Sequence, residues 1–390
     1  MSTRAGRFER QVGNYRAFLP KPLPPDPALR WSPELQVACS RADVALGRLD
    51  GMARSIPNPD LFVAMYVRRE AVLSSQIEGT QSSLDDVLAF EVGAPGTTQP
   101  PDITETVNYV RAMKSGLGLL EQLPLSGRLV RAVHKELLTG VRGQERSPGD
   151  FRITQNWIGS AGCTLETATF VPPPPHEIDP AFAALENFMN DRSFPPIVTA
   201  GLAHAQFETI HPFLDGNGRV GRLLITLTLV ERQVLTQPLL YLSLFLKQNR
   251  AEYYERLGRI RTHGDWEGWL HFFFDGVTIA ANDALALARS ITTIREQHVR
   301  IAAANHAGRF GVPMLDLLAA HPVLTMKFAV EQLGGTATTI GGLLDRLTAL
   351  GVVQEITGRK RDRVYRYSPF LDLFTTDAIT VATIPAEVTR

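Results

Sequence analysis

The sequence predicts a mainly α-helical chain with one β-hairpin over residues 149–175 and a winged helix-turn-helix near the C-terminus. Three observations lead there. Apolar residues recur at helical spacing through most of the chain before His306. One β-prone stretch interrupts them: Phe151-Arg-Ile-Thr and Trp157-Ile-Gly, turn-like residues over Ala161–Thr167, then Thr169-Phe-Val running into Pro172-Pro-Pro-Pro. After His306, short helix-like runs give way to two β-prone segments around a basic tip.

From the N-terminus, residues 1–33 hold a proline cluster, Pro20 to Pro27, and read as an extended arm. Leu35–Leu49 and Leu61–Leu88 read as amphipathic helices separated by Pro57-Asn58-Pro59. Pro95–Asp102 reads as a loop, and Ile103–Leu120 and Gly127–Leu138 as helices. An N-terminal helical region over 34–115 thus precedes a core over 116–265. Within that core helices resume at Asp179–Asn190 and Ile197–Ile210. After a glycine-rich loop comes Arg219–Arg232, where Val220, Leu223, Leu224, Leu227 and Val230 have helical spacing, and then Gln248–His263. Gly268–Gln297 falls in connecting helices over 266–304. Residues 305–375 read as helices Met314–Ala320 and Met326–Leu333, a Gly334-Gly335 turn, and a third helix Thr338–Leu350 ended by Gly351. A hairpin of Val352–Thr357 and Val364–Tyr367 follows, and 376–390 is a tail.

Composition bounds the function. With 390 residues, 44% hydrophobic and 21% charged, the chain suits a globular protein of two or three domains. Lysine plus arginine equals aspartate plus glutamate at 40 each, so no global field recruits nucleic acid or a membrane. Cys39 and Cys163 alone exclude a disulfide scaffold and cysteine-metal clusters. The start, Met1 to Arg7, lacks an apolar signal core and no apolar run approaches spanning length. The expectation is a cytoplasmic chain with no membrane partner.

Chemistry concentrates in residues 211–222, His-Pro-Phe-Leu-Asp-Gly-Asn-Gly-Arg-Val-Gly-Arg. Gly216, Asn217 and Gly218 tolerate left-handed dihedrals, so their N–H groups can form an anion-binding concavity. The turn opens onto the N-terminus of the helix from Arg219, where free amides and the macrodipole favour phosphate. Arg219 and Arg222, three apart, can reach the same anion. Asp215 can hold Mg²⁺ bridging two phosphates. His211, before Pro212, is biased out of helix geometry, and a neutral imidazole there can take a proton from a hydroxyl. A rival reading places zinc on His204, Glu208 and His211, which have one-face spacing, although no cysteine-rich or H-E-x-x-H pattern accompanies them.

This string resembles, at every specified position, the H-x-F-x-[DE]-G-N-G-R-x-x-R signature of the Fic family of protein adenylyltransferases. The resemblance runs from about Arg41 to Leu373 and implies a helical Fic core. In that family the histidine, here His211, is the base, and a target Ser, Thr or Tyr hydroxyl attacks the α-phosphorus of ATP and releases pyrophosphate. It assigns the metal to Asp215 and charge stabilisation to Arg219 and Arg222. The loop Gly216–Gly218, extended through Val220 and Gly221, is given phosphate binding. Asn249 and Tyr253 become nucleobase-side contacts. The hairpin becomes a flap on which a target segment docks as an added strand. Relatives with altered loops transfer phosphate or phosphocholine; the intact Asp215 and Gly-Asn-Gly-Arg imply AMP. Removal of AMP by the same fold stays open, as does a homodimer.

Upstream, Ser74-Ser75-Gln76-Ile77-Glu78-Gly79 resembles the family's [ST]-x-x-x-E-[GN] inhibitory motif. Ser74 and Glu78 stand at i, i+4 on a helix that Gly79 can stop. The resemblance pairs Glu78 with Arg222, occupying the group needed for the γ-phosphate. At the other end, Arg359, Lys360, Arg361 and Arg363 make the wing basic, while the presumed recognition helix carries only Arg346, with Thr336, Thr338 and Thr339 at its start. Contact with DNA and contact with protein both suit such a module. The alternative to an enzyme is therefore a DNA-binding regulator whose Fic core senses nucleotide.

Overall fold

A computed structural model of the chain describes residues 2–55, 59–93, 101–160, 162–305, 307–359 and 361–375. The expected linker around Pro57, most of the Pro95–Asp102 loop, Lys360 of the wing and the 376–390 tail lie outside the described residues.

The arm expected over 1–33 instead begins as a three-stranded antiparallel sheet, β1 (Ser2–Thr3), β2 (Gly6–Arg10) and β3 (Arg16–Pro20), in that order. Gly13 and Asn14, both at positive φ, turn the hairpin. Phe18 is fully buried, with its ring 5.0 Å from Phe8 and 6.3 Å from Phe170. The proline cluster begins only at the end of β3.

The helices follow in order: α1 (Pro33–Ser55), α2 (Pro59–Ile77), α3 (Leu84–Glu91), α4 (Pro101–Leu120), α5 (Gly127–Leu138), α6 (Ile178–Asn190), α7 (Pro196–Ile210), α8 (Asn217–Glu231), α9 (Ser243–Gln248), α10 (Arg250–His263) and α11 (Trp266–Ala304). The single helix expected over Leu61–Leu88 is two. Gly79, at φ +101, breaks it, and Ser83 restarts the chain through a capping box with Asp86. Such a cap is worth about 1 kcal/mol. Every residue of α7 from Ile197 to Ile210 is buried, so it forms the axis of the core. Gly221 allows α8 to pack on it: an added Cβ would lie 2.6 Å from Glu208 Oε1 and 3.2 Å from the Phe207 ring. Trp269 of α11 donates its indole N–H to Gly201 at 2.8 Å, fixing α11 on α7.

The flap over 149–175 is a correction to the expected hairpin. Among its described residues one bridge forms, Ile158 to Phe170. Side chains replace the ladder: Gln155 donates to Pro172 O, Arg152 to Pro173 O and Asn156 to Phe213 O. Prolines at 172–175 have no N–H to pair, which ends the bridge.

The C-terminal part runs α12 (Gly311–Ala320), β4 (Val323–Thr325), α13 (Met326–Leu333), α14 (Ala337–Ala349), β5 (Gln354–Glu355), β6 (Val364–Arg366) and α15 (Ser368–Thr375). The strands form an antiparallel sheet in the order β4-β6-β5. Thr325 and Thr336 cap α13 and α14 through their side chains. This unit leans on α2 and α3, with Arg366 bonding Asp85 at 3.3 and 3.4 Å.

Candidate active site

The site is built where α7 ends and α8 begins. His211 takes left-handed dihedrals, φ 49 and ψ 59, and its N–H caps α7 on Phe207 O at 2.8 Å. For a residue with a Cβ this conformation costs roughly 1–2 kcal/mol, so surrounding bonds must hold it. The Asn217 amide staples the loop by accepting from the Phe213 N–H at 2.9 Å and donating to Phe213 O at 2.8 Å. Gly216, at φ 74, is the N-cap of α8, and Val220 N–H is the first to bond back, to Gly216 O. The amides of Asn217, Gly218 and Arg219 therefore precede the first intrahelical bond and form the positive end of the helix.

His134 of α5 buttresses this loop. It accepts the Gly149 N–H on Nδ1 at 2.9 Å, so Nε2 carries the proton and donates to Asp215 O at 3.0 Å. Its ring stacks on Phe213 with centroids 3.7 Å apart, and burial pushes its pKa down to about 4. Asp215 accepts from the Gly216 N–H at 2.6 Å and points toward the Gly143 turn, where an added Cβ would come within 2.9 Å of Oδ2.

Arg219 is 2% exposed and pairs with the equally buried Glu105 of α4 at 2.9 Å. Arg222, also 2% exposed, donates through Nε to Ser74 Oγ at 2.8 Å and through Nη2 to Ser74 O at 3.0 Å and Glu78 Oε1 at 2.6 Å. Burial alone would raise the Glu78 carboxyl, yet Arg222 and then Arg219 hold it below the usual carboxylate range. The Glu78 carboxylate lies directly over Gly218, where an added Cβ would collide with Oε1. A negative group thus already sits at the α8 N-terminus.

Comparison with known proteins agrees with this geometry. Residues 36–118 match the profile described as Fic/DOC family N-terminal, and residues 124–229 the Fic/DOC family profile. The helical core belongs to the Fic/DOC family. A probable protein adenylyltransferase of Aquifex aeolicus is 26% identical over 181 residues, 45% of this chain and 51% of that one. The protein adenylyltransferase Fic of Drosophila grimshawi is 31% identical over 160 residues, 40% of this chain and 29% of that one. The chain thus spans about half of the first relative and under a third of the second. In fold it is similar to a crystal structure of a Fic family protein from Desulfovibrio desulfuricans G20, with a TM-score of 0.57 at 19% identity over 87% of this chain and 97% of the other.

Within this Fic core the structure gathers His211, Asp215, Gly216, Asn217, Gly218, Arg219, Arg222, Ser74 and Glu78. Val220 is buried in the core and Gly221 is a helix-crossing glycine, so neither presents a side of the helix to an anion. Tyr253 is 1% exposed and its hydroxyl donates to His204 Nε2 at 2.8 Å. It stands behind the site; the adjacent Tyr254, 43% exposed, senses the charges of Glu78 and Arg222. Asn249 caps the junction of α9 and α10, with its amide on Phe245 O. The zinc reading fails because His204 has both ring nitrogens committed, Nδ1 donating to Gly221 O at 2.9 Å. No three His, Cys, Asp or Glu among the described residues are grouped to hold a metal. Glu105, His134, Arg152 and Arg261 are parts of the site that carry no motif.

His211 itself is poised. Its Nδ1 has no hydrogen-bond partner among the described residues and lies 3.9 Å from Glu208 Oε2. Burial, then Arg152 and Arg261, push its pKa down to about 3, so the ring is neutral at physiological pH.

Proposed function

We propose that this chain transfers AMP from ATP to a Ser, Thr or Tyr hydroxyl of a protein, under restraint by Glu78. The observation that carries the reading is a neutral His211 beside a helix N-terminus that already holds a carboxylate. A triphosphate in place of that carboxylate would meet the α8 amides and Arg222. Its negative charge would raise His211 toward the range of a working base. The ring takes the hydroxyl proton, the oxygen bonds the α-phosphorus, and the bond to pyrophosphate breaks. Asp215 fits Mg²⁺: it is one partly exposed carboxylate on an anion-binding turn, and Mg²⁺ takes few protein oxygens beside phosphate. When bound, the ion would neutralise phosphate charge.

The flap and its neighbouring loop leave Ile153 and Trp157 exposed, at 88% and 42%, and these surfaces suit a docked target segment. The test is incubation of wild type, Glu78→Gly and His211→Ala with Mg²⁺ and ATP labelled at the α-phosphate. Label that rises in Glu78→Gly and vanishes in His211→Ala supports the reading. Failure of every variant, with lysate present, turns it toward AMP removal or toward a regulator.

The regulator reading has one observation of its own. Residues 311–366 run helix, strand, two helices and two strands, an order that a winged helix-turn-helix would have, with Arg346, Arg359 and Arg361 exposed, whereas Arg363 is tied to Asp345 at 2.7 Å. Salt-dependent DNA binding lost on replacing Arg359 and Arg361 would support it. No helix among the described residues is long and apolar enough to cross a membrane.

A further inference from the structure

Arg152, in the first arm of the flap, is only 3% exposed. Burying a guanidinium is costly unless its donors are taken up. Each of its nitrogens donates to a backbone carbonyl: Nε to His211 at 3.0 Å, Nη1 to Thr154 at 3.2 Å and Nη2 to Pro173 at 2.6 Å. Its own N–H donates to Pro212 O at 2.9 Å. One residue thus joins both arms of the flap to the turn that carries the base. His211 needs such a hold. Its left-handed backbone is fixed on one side by its N–H on Phe207 O, and on the other by the carbonyl that Arg152 grips.

We propose that Arg152 is a positioning residue for the base, locking the 211–212 peptide and setting the flap and the His211 imidazole in one register. The planar fork reaches three divergent acceptors at once, which a lysine ammonium on a single point cannot reproduce. The charge has a second effect. Four charged or titratable groups face the ring: Arg152 from the flap, Glu208 from α7, Arg261 from α10 and Glu78 from the brake. After burial, Arg152 is the largest influence that disfavours a protonated His211, so its loss moves the ring's titration upward.

The proposal rests on His211 being the base, and its test separates the two. In the Glu78→Gly chain, Arg152→Met is expected to lower kcat about 100-fold, the scale of a misplacement of about 1 Å. KM for ATP should stay within about twofold, and Arg152→Lys should recover about tenfold of the lost rate. A Met variant within about threefold of its parent in kcat, or a KM that rises as kcat falls, overturns the proposal. Should Arg152→Met not fold, Arg152→Lys decides: parental kcat in that variant overturns it equally. Histidine-selective NMR needs no turnover, with the His211 signal assigned by its loss in His211→Ala. In Arg152→Gln the signal should shift and titrate at higher pH; an unmoved signal overturns the proposal whether or not the parent transfers AMP. A moved signal in a chain whose Glu78→Gly parent is inactive supports positioning and sinks the adenylyl-transfer reading.

Discussion

Replacing Glu78 by glycine removes the carboxylate from over the α8 N-terminus, and the structure sets the size of the effect. Glu78 meets Arg222 through one hydrogen bond of 2.6 Å, with the arginine side chain 2% exposed and the glutamate 32%. A hydrogen bond to a charged group contributes about 1.5–3 kcal/mol. Solvent at the partly open carboxyl reduces that to about 1–2 kcal/mol. Arg222 keeps its two bonds to Ser74, so those donors stay satisfied after the substitution. An ATP phosphate competing for the same place therefore gains a factor of about 5–30. At ATP below saturation, AMP incorporation by Glu78→Gly should rise by about that factor over wild type. Glu78→Gln, which keeps a neutral acceptor, should fall between them. The assay is transfer of α-labelled AMP to protein, with His211→Ala as the blank. A folded Glu78→Gly no faster than wild type, in a preparation where label depends on His211, would refute the assignment of Glu78 as a brake.

Three further outcomes follow from the same contacts. Gly218→Ala should lower Tm in wild type and less in the Glu78→Gly chain, because the added methyl collides with Glu78 Oε1; equal losses in both would place the strain elsewhere. Glu105→Ala should destabilise the chain by up to about 3 kcal/mol, since Arg219 then stays buried with only the longer 3.8 Å contact to Asp215, and denaturant unfolding measures this. Stability should fall as pH drops below about 6.5, because burial holds His134 and His204 neutral to about pH 4 and His211 to about pH 3, whereas the unfolded chain protonates them near 6.5. Glu70 and Glu208 act oppositely: burial pushes both up to about 7, so the stability they contribute is present at low pH and lost as pH rises through 7. Burial also lowers His298 and His321, so five histidines act against the two carboxyls and stability should fall on balance as pH drops from about 6.5 toward 5. Calorimetry across pH 4.5–7.5 checks it; an optimum at or below pH 5 would contradict the burial of these histidines.

What the sequence disclosed followed the range of the interactions. The 211–222 loop is local, so its turn, its helix start and its arginines were legible from spacing alone. The Glu78–Arg222 contact joins residues far apart in the chain, and only the resemblance to the Fic family brought them together. Glu105, His134 and Arg152 were not legible, because each acts on a distant loop or helix and two of them bind backbone carbonyls, which any sequence offers. In the flap the β-prone residues form one bridge, and side-chain bonds from Arg152, Gln155 and Asn156 take the place of further strand pairing. At the N-terminus, proline composition outweighed the Gly13-Asn14 turn and the buried Phe18 on β3, the two signals that mark a hairpin.

The two tyrosines of α10 are sorted by the helical period. Neighbouring helix positions point about 100° apart, so Tyr253 and Tyr254 cannot share a face. Tyr253, Leu257 and Ile260 stand at i, i+4 and i+7, and all three are buried against the core. That spacing alone directs Tyr253 inward, where its hydroxyl finds His204, and turns Tyr254 outward toward the charges of Glu78 and Arg222. The family resemblance names Tyr253, whereas the helical period and the burial turn its neighbour Tyr254 to the open side. A Tyr254→Ala substitution should then alter nucleotide affinity while leaving Tm nearly unchanged. Tyr253→Phe should leave affinity intact and lower stability by about 1 kcal/mol, the loss of one buried hydrogen bond at His204. Isothermal titration of ATP into Glu78→Gly carrying each change decides between them. Weakened binding in Tyr253→Phe with none in Tyr254→Ala would restore the assignment that the helix period rejects.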